Sequence, residues 1–386
     1  MNLIRFKLKV TGVVLFIALS FQVEQVSAQK LKEQFIDTLD NAIDVSNFLN
    51  SVTGFLAVPS VITEPALGYG GGLALIYFHK DKKNYGEGKY GPLPPVLSFA
   101  GGGGTSNKTY FGVLGHVGSY KKDRFRYVGV LGMANINLSF FGAGIIHDEV
   151  EYKFNMKGWF IFQEFSTRIN RDIPFFVGAN YVYFNNKIKF NRDVESPILD
   201  DLEKETNTAG INSIFTWDSR DNTFTPNRGI IAVLEAGIYN KALGGNNNFN
   251  NINFRTYAYT DKILPKTVAG FRLATQGKWG DPSFYELPFI MLRGIPVMRY
   301  QDNIVSVVET EWRYNIWRRW SVVGFTGAGF AYPEFKAFSF DKAKINYGGG
   351  FRYYLARQYR MHVGIDVARG PEEWAWYIVV GSSWLR

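Results

Sequence analysis

Cysteine is absent from all 386 residues, which rules out disulfides, thiolate metal sites and cysteine nucleophiles. Stability must then come from strand pairing and burial. Long apolar runs are equally scarce. Beyond Val10 to Phe21 no stretch approaches the roughly eighteen apolar residues of a membrane-spanning helix, and a mean hydropathy of −0.11 is too polar for a bundle of such helices. The four histidines, His79, His116, His147 and His362, show no metal-ligand spacing. Positive charge is spread along the chain and does not form the stripe that nucleic acid requires. No G-x-S-x-G elbow occurs, and in Gly101 to Thr109 the residue before the lysine is Asn107, where a phosphate loop needs glycine. Nothing here marks a cofactor site or an enzyme. A barrel-embedded lipid enzyme, which needs only one Ser-His pair, is the one catalytic class left open.

Aromatic residues and glycine are abundant: 33 Phe, 22 Tyr, 9 Trp and 40 Gly. So much aromatic surface in a chain of this polarity fits aromatic girdles around a polar lumen. The first 28 residues read as a secretory signal, with Arg5, Lys7 and Lys9 before the apolar stretch and Val26-Ser27-Ala28 as the cleavage site. Its removal takes away three cations and Glu24, so the net charge of +9 becomes +7. Residues 29–54 follow as a periplasmic segment. Within it, from Lys30 to Val52, Leu31, Phe35, Leu39 and Ile43 recur at helical spacing, which predicts one amphipathic helix.

From residue 55 to 386 the period changes to two. In INYGGGFRYYL, Ile345, Tyr347, Phe351 and Tyr353 share one face, and Asn346, Gly348, Gly350 and Arg352 the other. Met361, Val363, Ile365 and Val367 alternate with Arg360, His362, Gly364 and Asp366. The last strand is expected over 373–384, with Trp374, Trp376, Ile378, Val380 and Trp384 on its apolar face. Counting such segments predicts an all-β transmembrane barrel of about sixteen antiparallel strands, apolar faces to lipid and polar faces to the lumen.

Short turns alternate with longer loops, except at Lys80 to Pro94. The short turns carry Lys121, Lys122 and Arg124; Arg168 and Arg171; Arg220 and Arg228; Lys262 and Lys266; Arg318 and Arg319; Arg357 and Arg360. These are assigned to the periplasmic rim, where they can meet lipid phosphates or an acidic protein partner. The acidic loop from Arg192 to Thr206 then faces outward. So does Gly280 to Asn303, GDPSFYELPFIMLRGIPVMRYQDN, which is too apolar for a solvated loop and is predicted to fold back into the lumen.

At this loop the chain resembles the BamA/TamA family of outer-membrane proteins, also called bacterial surface antigen barrels. The motif is Leu292-Arg293-Gly294-Ile295, where the family usually has Val-Arg-Gly and an aromatic. Trp217 to Gly229, WDSRDNTFTPNRG, resembles the family's eighth strand and turn, with Asp218, Arg220, Asp221, Pro226 and Gly229 as its marked positions. Thr63 to Gly72, TEPALGYGGG, resembles the opening hairpin. The resemblance implies that Arg293 is held in the lumen by acidic residues from the two strands that follow. Glu311 takes the first acidic position, on the lumen face with Glu309 and Arg313, whereas the second appears as Gly327, which implies a weakened lock. An unpaired guanidinium there would cost several kcal/mol.

The segment between Gln29 and Phe55 has no room for one of the family's periplasmic POTRA domains. The resemblance also implies a weak seam between first and last strands, and Pro59 would remove a ladder donor from it. The expected role is membrane biogenesis: assembly or insertion of outer-membrane proteins, or lipid movement, in the bacterial outer membrane with a periplasmic or membrane protein partner. A channel gated by the inward loop, and a structural scaffold of an envelope complex, are the alternatives.

Overall fold

The computed structural model describes residues 34–51, 55–79, 87–88, 91–92, 96–141, 151–170, 172–191, 199, 202–203 and 205–384. The signal peptide expected over 1–28 lies outside them, as does most of Lys80 to Pro94 and of the acidic loop. The chain divides into two units, Met1–Ser51 and Val52–Arg386.

In the first unit the amphipathic helix expected from Lys30 to Val52 is not continuous. Helix is present at Gln34 and Phe35 and again in α1 (Ser46–Ser51), and between them lies a turn that an Ile36–Ile43 bridge closes. Three aspartates cause the break. Asp37 Oδ1 accepts from the Leu39 amide, Asp40 Oδ1 from Ala42 and Asp44 Oδ1 from Ser46. Such local bonds offer the backbone an alternative to the helix.

The second unit holds a sixteen-stranded antiparallel sheet in which neighbours follow chain order, and a separate short pairing of Glu87–Gly88 with Gly91–Pro92. The first half of the large sheet is β1 (Phe55–Ile62), β2 (Gly70–Phe78), β3 (Leu97–Thr105), β4 (Tyr110–Tyr120), β5 (Phe125–Phe140), β6 (Tyr152–Arg168), β7 (Phe175–Phe190) and β8 (Glu205–Asp218). The second is β9 (Gly229–Tyr239), β10 (Phe249–Thr260), β11 (Thr267–Gly280), β12 (Ile304–Trp317), β13 (Trp320–Tyr332), β14 (Lys344–Ala356), β15 (Met361–Arg369) and β16 (Trp374–Val380). No ladder joins β1 to β16 among the described residues, so the barrel is nearly closed with a seam.

Alternation sorts the two faces as lipid and lumen demand. On β14, Ile345 and Tyr347 are more than half exposed, whereas Asn346 and Arg352 are buried. Strand length varies around the wall. β5, β6 and β7 run 16, 17 and 16 residues, against 8 for β1 and 7 for β16. At about 3.4 Å per residue the long strands outrun an apolar band about 25 Å tall. Their outward faces accordingly turn polar at the outer end, where Asn155 donates to Asn137 and Asn185 to Asn207.

The last strand is shorter than its sequence pattern predicts. Trp374, Ile378 and Val380 do face outward, but β16 stops at Val380, and Gly381 with φ +78° turns the tail into the lumen. Trp384 is therefore buried inside the barrel and does not face lipid.

Candidate functional site

The segment from Asp281 to Asn303 crosses the lumen as a structured element. Its entry is a 3-10 turn, Phe284–Glu286, closed by reciprocal bonds between Ser283 and Glu286. Phe284 and Met298 pack against Leu138, Phe154, Ile188 and Phe190 on the inner faces of β5 to β7. Ile290, Leu292 and Ile295 pack against Val305 and Val307 on β12. Water is thereby excluded from the residue between Leu292 and Gly294.

That residue is Arg293, 4% exposed. Its Nη1 lies 2.7 Å from Glu311 and 2.7 Å from Asp366, and its Nη2 lies 2.8 Å from Glu309. The guanidinium carbon sits 3.3 Å from the centre of the Phe325 ring. Arg352 engages Asp366 with both terminal nitrogens, and Arg272 donates to Glu309 at 3.2 Å. Three guanidiniums thus meet three carboxylates, so the buried cluster is balanced, which is the condition for tolerating charge in a dry interior. Ser383 of the inturned tail accepts from Arg293 and Arg352 and donates to Glu311, and the Trp384 indole donates to Glu309 at 2.7 Å.

Gly294 has φ +83°, and a Cβ there would stand 2.6 Å from the Gly370 amide nitrogen. Only glycine combines that conformation with so close a backbone approach. Its amide donates to the Tyr377 hydroxyl on β16 at 2.8 Å, and Asn346 on β14 donates to the Arg293 carbonyl at 2.9 Å.

Of the residues singled out in the sequence, Arg293 and Glu311 are in contact. Glu309 and Asp366, which pattern reading placed on the lumen face without assigning them a role, complete the set. Gly327 lies beside the cluster, but a Cβ there would stand 2.8 Å from the Val308 carbonyl and 2.9 Å from Asn346 Oδ1. Its space is filled, and the further carboxylate comes from Asp366, two strands on. The weakened lock implied by Gly327 therefore does not describe this geometry.

The turn from Ser219 to Arg228 also folds inward, at the other mouth. Asp218 binds Arg220 at 2.8 Å and Arg126 at 3.1 Å, while Asp221 Oδ1 caps the Asn227 and Arg228 amides. Pro226 is fully buried, and Gly229 has φ +101° with its would-be Cβ 2.3 Å from the Ser219 carbonyl. Phe224 O accepts from the Ser382 amide at 2.7 Å, joining this turn to the C-terminal tail.

Residues 134–291 match the family model described as the Omp85 superfamily domain. Over that segment, from β5 into the inward loop, the chain is similar to the Omp85 superfamily domain. Solved structures share the fold of this barrel at low identity. BamA from Haemophilus ducreyi lacking POTRA domains 1–3 aligns with TM-score 0.54 and 9% identity, over 92% of this chain and 82% of that one. CdiB from Escherichia coli aligns with TM-score 0.56 and 9% identity over 84% of this chain, and CdiB from Acinetobacter baumannii with 0.52 and 10% over 84%. The chain spans 62% and 59% of those two CdiB chains. No curated protein matches it. Its strands cross the bacterial outer membrane, and the Arg293 cluster ties loop, wall and C-terminal tail of the barrel into one unit.

Register also gathers two of the histidines. Ser98 lies 2.8 Å from both His79 and His116, on the outward face of β2 to β4. Among the described residues no carboxylate contacts either ring, so the row lacks the acidic member that usually orients a catalytic histidine.

Proposed function

We propose that this barrel serves outer-membrane biogenesis, admitting polypeptide strands or lipid to the membrane at the seam between β1 and β16, together with a periplasmic or membrane protein partner. The observation that carries this reading is the seam. β1 pairs with β2 and β16 with β15, and among the described residues each leaves its other edge without a ladder. Ala57 to Val61 are exposed on both faces of β1, and Pro59 has no amide to donate. Unpaired backbone groups in hydrocarbon cost several kcal/mol each, so such an edge favours the addition of a further strand. The two sides differ. β16 is tied to the lumen through Tyr377 and Gly294, whereas no hydrogen bond joins β1 to the loop among the described residues. β1 is the side free to move.

The absence of native cysteine makes the test clean. Cysteine pairs, one in 57–61 and one in 375–379, are scanned for those that form a disulfide, and the locked barrel is expressed as the sole copy. Outer-membrane proteins or lipid asymmetry are expected to fail under oxidation and recover on reduction. A wild-type envelope with the seam locked would overturn the proposal and favour a scaffold. The filled lumen speaks against a conducting channel, so planar-bilayer recordings should be silent for wild type and conductive only after deletion of 281–303.

A further inference from the structure

A second charged chamber lies at the periplasmic mouth of the lumen. There the turn 219–228 meets the hairpin ends at 318–319 and 357–360, leaving a cavity of about 240 Å³. Four guanidiniums line it, Arg313, Arg318, Arg319 and Arg360, and no aspartate or glutamate does.

Arg319 donates to the Tyr354 carbonyl at 3.1 Å, and Arg318 lies over the Trp317 ring. Arg360 reaches Asp221 at 3.3 Å, a pair half open to solvent. Arg313 is the decisive one. It is 9% exposed and donates to the Asn227 side chain, its Nε has no acceptor, and no carboxylate stands within ion-pair distance among the described residues. Glu311, two residues along the strand, is committed to Arg293 and Ser383. His362 adds a buried Nδ1 with no partner.

A guanidinium cannot shed its proton, and leaving one buried without a counter-charge costs several kcal/mol. The Arg293 cluster meets that demand with protein carboxylates; among the described residues none stands within ion-pair distance of Arg313. Planar guanidinium forks match the oxygens of phosphate in paired hydrogen bonds. At about 30 Å³ per water, the cavity has room for about eight waters, or a phosphate group with a short polar stub. It is too small for a lipid tail or a folded peptide.

We infer that the periplasmic mouth of the barrel binds a phosphate-class oxyanion, free or as the head of a glycerophospholipid, between Arg313 and Arg360 with Arg318 beside it. The full-length barrel in zwitterionic nanodiscs is titrated with inorganic phosphate and with glycerol 3-phosphate by calorimetry, and separately reconstituted with phosphatidylglycerol. Saturable binding is expected for at least one probe, weakened about tenfold or more in Arg313→Gln and in Arg360→Gln, each of which removes charge-assisted bonds. Arg299→Gln, at the outer side, should bind as wild type. Competition between phosphatidylglycerol and glycerol 3-phosphate would identify the lipid head as the source; binding of the soluble ions alone would identify a free anion. Heat-modifiable gel mobility checks folding, and Arg360→Gln, in an exposed turn, keeps the test open if Arg313→Gln does not fold. No saturable binding to wild type, or binding that neither substitution weakens, would overturn the inference.

Discussion

Replacing Arg293 by alanine removes the centre of the balanced cluster. The side chain makes two bonds to Glu309 and one each to Glu311, Asp366 and Ser383. Without it, three carboxylates face only Arg272 and Arg352, and the nearest replacement solvent is excluded by the packed loop. Breaking a buried ion pair from one side costs about 3–5 kcal/mol, which is roughly two to three and a half decades in an equilibrium constant. The assay is urea unfolding of the refolded barrel in micelles, followed by gel mobility and tryptophan fluorescence. Arg293→Ala is expected to lower the midpoint by an amount corresponding to that range. The double variant Arg293→Ala/Glu309→Gln restores two charges against two, so it should be more stable than the single variant even though it departs further from the native sequence. Charge balance would be refuted as the organising principle if Arg293→Ala unfolded within about 0.5 kcal/mol of wild type, the usual scatter for a neutral surface change. An additive double variant would refute it too.

Two other measurements address the surroundings. Gly327→Asp places a Cβ 2.8–2.9 Å from Val308 O and Asn346 Oδ1 and adds a fourth carboxylate; a loss of at least about 1–3 kcal/mol from overpacking is expected, with Gly327→Ala isolating the steric share, and unchanged stability would count against the filled-space argument. At the outer side, burial pushes the Glu372 carboxyl up, but hydrogen bonds from Arg299 and Tyr300 outweigh it and hold the carboxyl below its usual range. The contribution of this contact is complete above about pH 4.3 and is lost as pH falls through the lower folded-state value. Carbon NMR titration of Glu372 should show that low midpoint in wild type and a return toward the ordinary value in Arg299→Gln; equal midpoints would refute the pairing.

Much of the barrel is legible in the sequence because a wall between lipid and lumen imposes one simple alternation. Strand parity placed Glu309, Glu311, Arg352 and Asp366 on the inner face. Parity gives a face, not a height or a partner across the lumen, so the meeting of Arg293 with Asp366 was out of reach. The same parity misread Trp384, which continues the rhythm of Trp374, Trp376, Ile378 and Val380 although Gly381 turns the chain away. The N-terminal segment was misread for a different reason: the helical spacing of Phe35, Leu39 and Ile43 is real, but Asp37, Asp40 and Asp44 spend their side chains on local amides, a cue that was present and outweighed.

The inturned C-terminal tail has a consequence for the order in which the molecule is completed. Arg293 contacts Asp366 and Ser383, 73 and 90 residues further along the chain. While the chain is being delivered from its N-terminus, the loop therefore exists before most of the groups that neutralise it. Such distant contacts form late, because the entropy of closing the intervening chain must be met first. A barrel lacking its last four described residues, Gly381 to Trp384, would retain all sixteen strands yet lose Ser383 and Trp384 from the cluster. The tail thus acts as a late checkpoint: the loop is fully seated only once the chain has been delivered through Ser383 and Trp384.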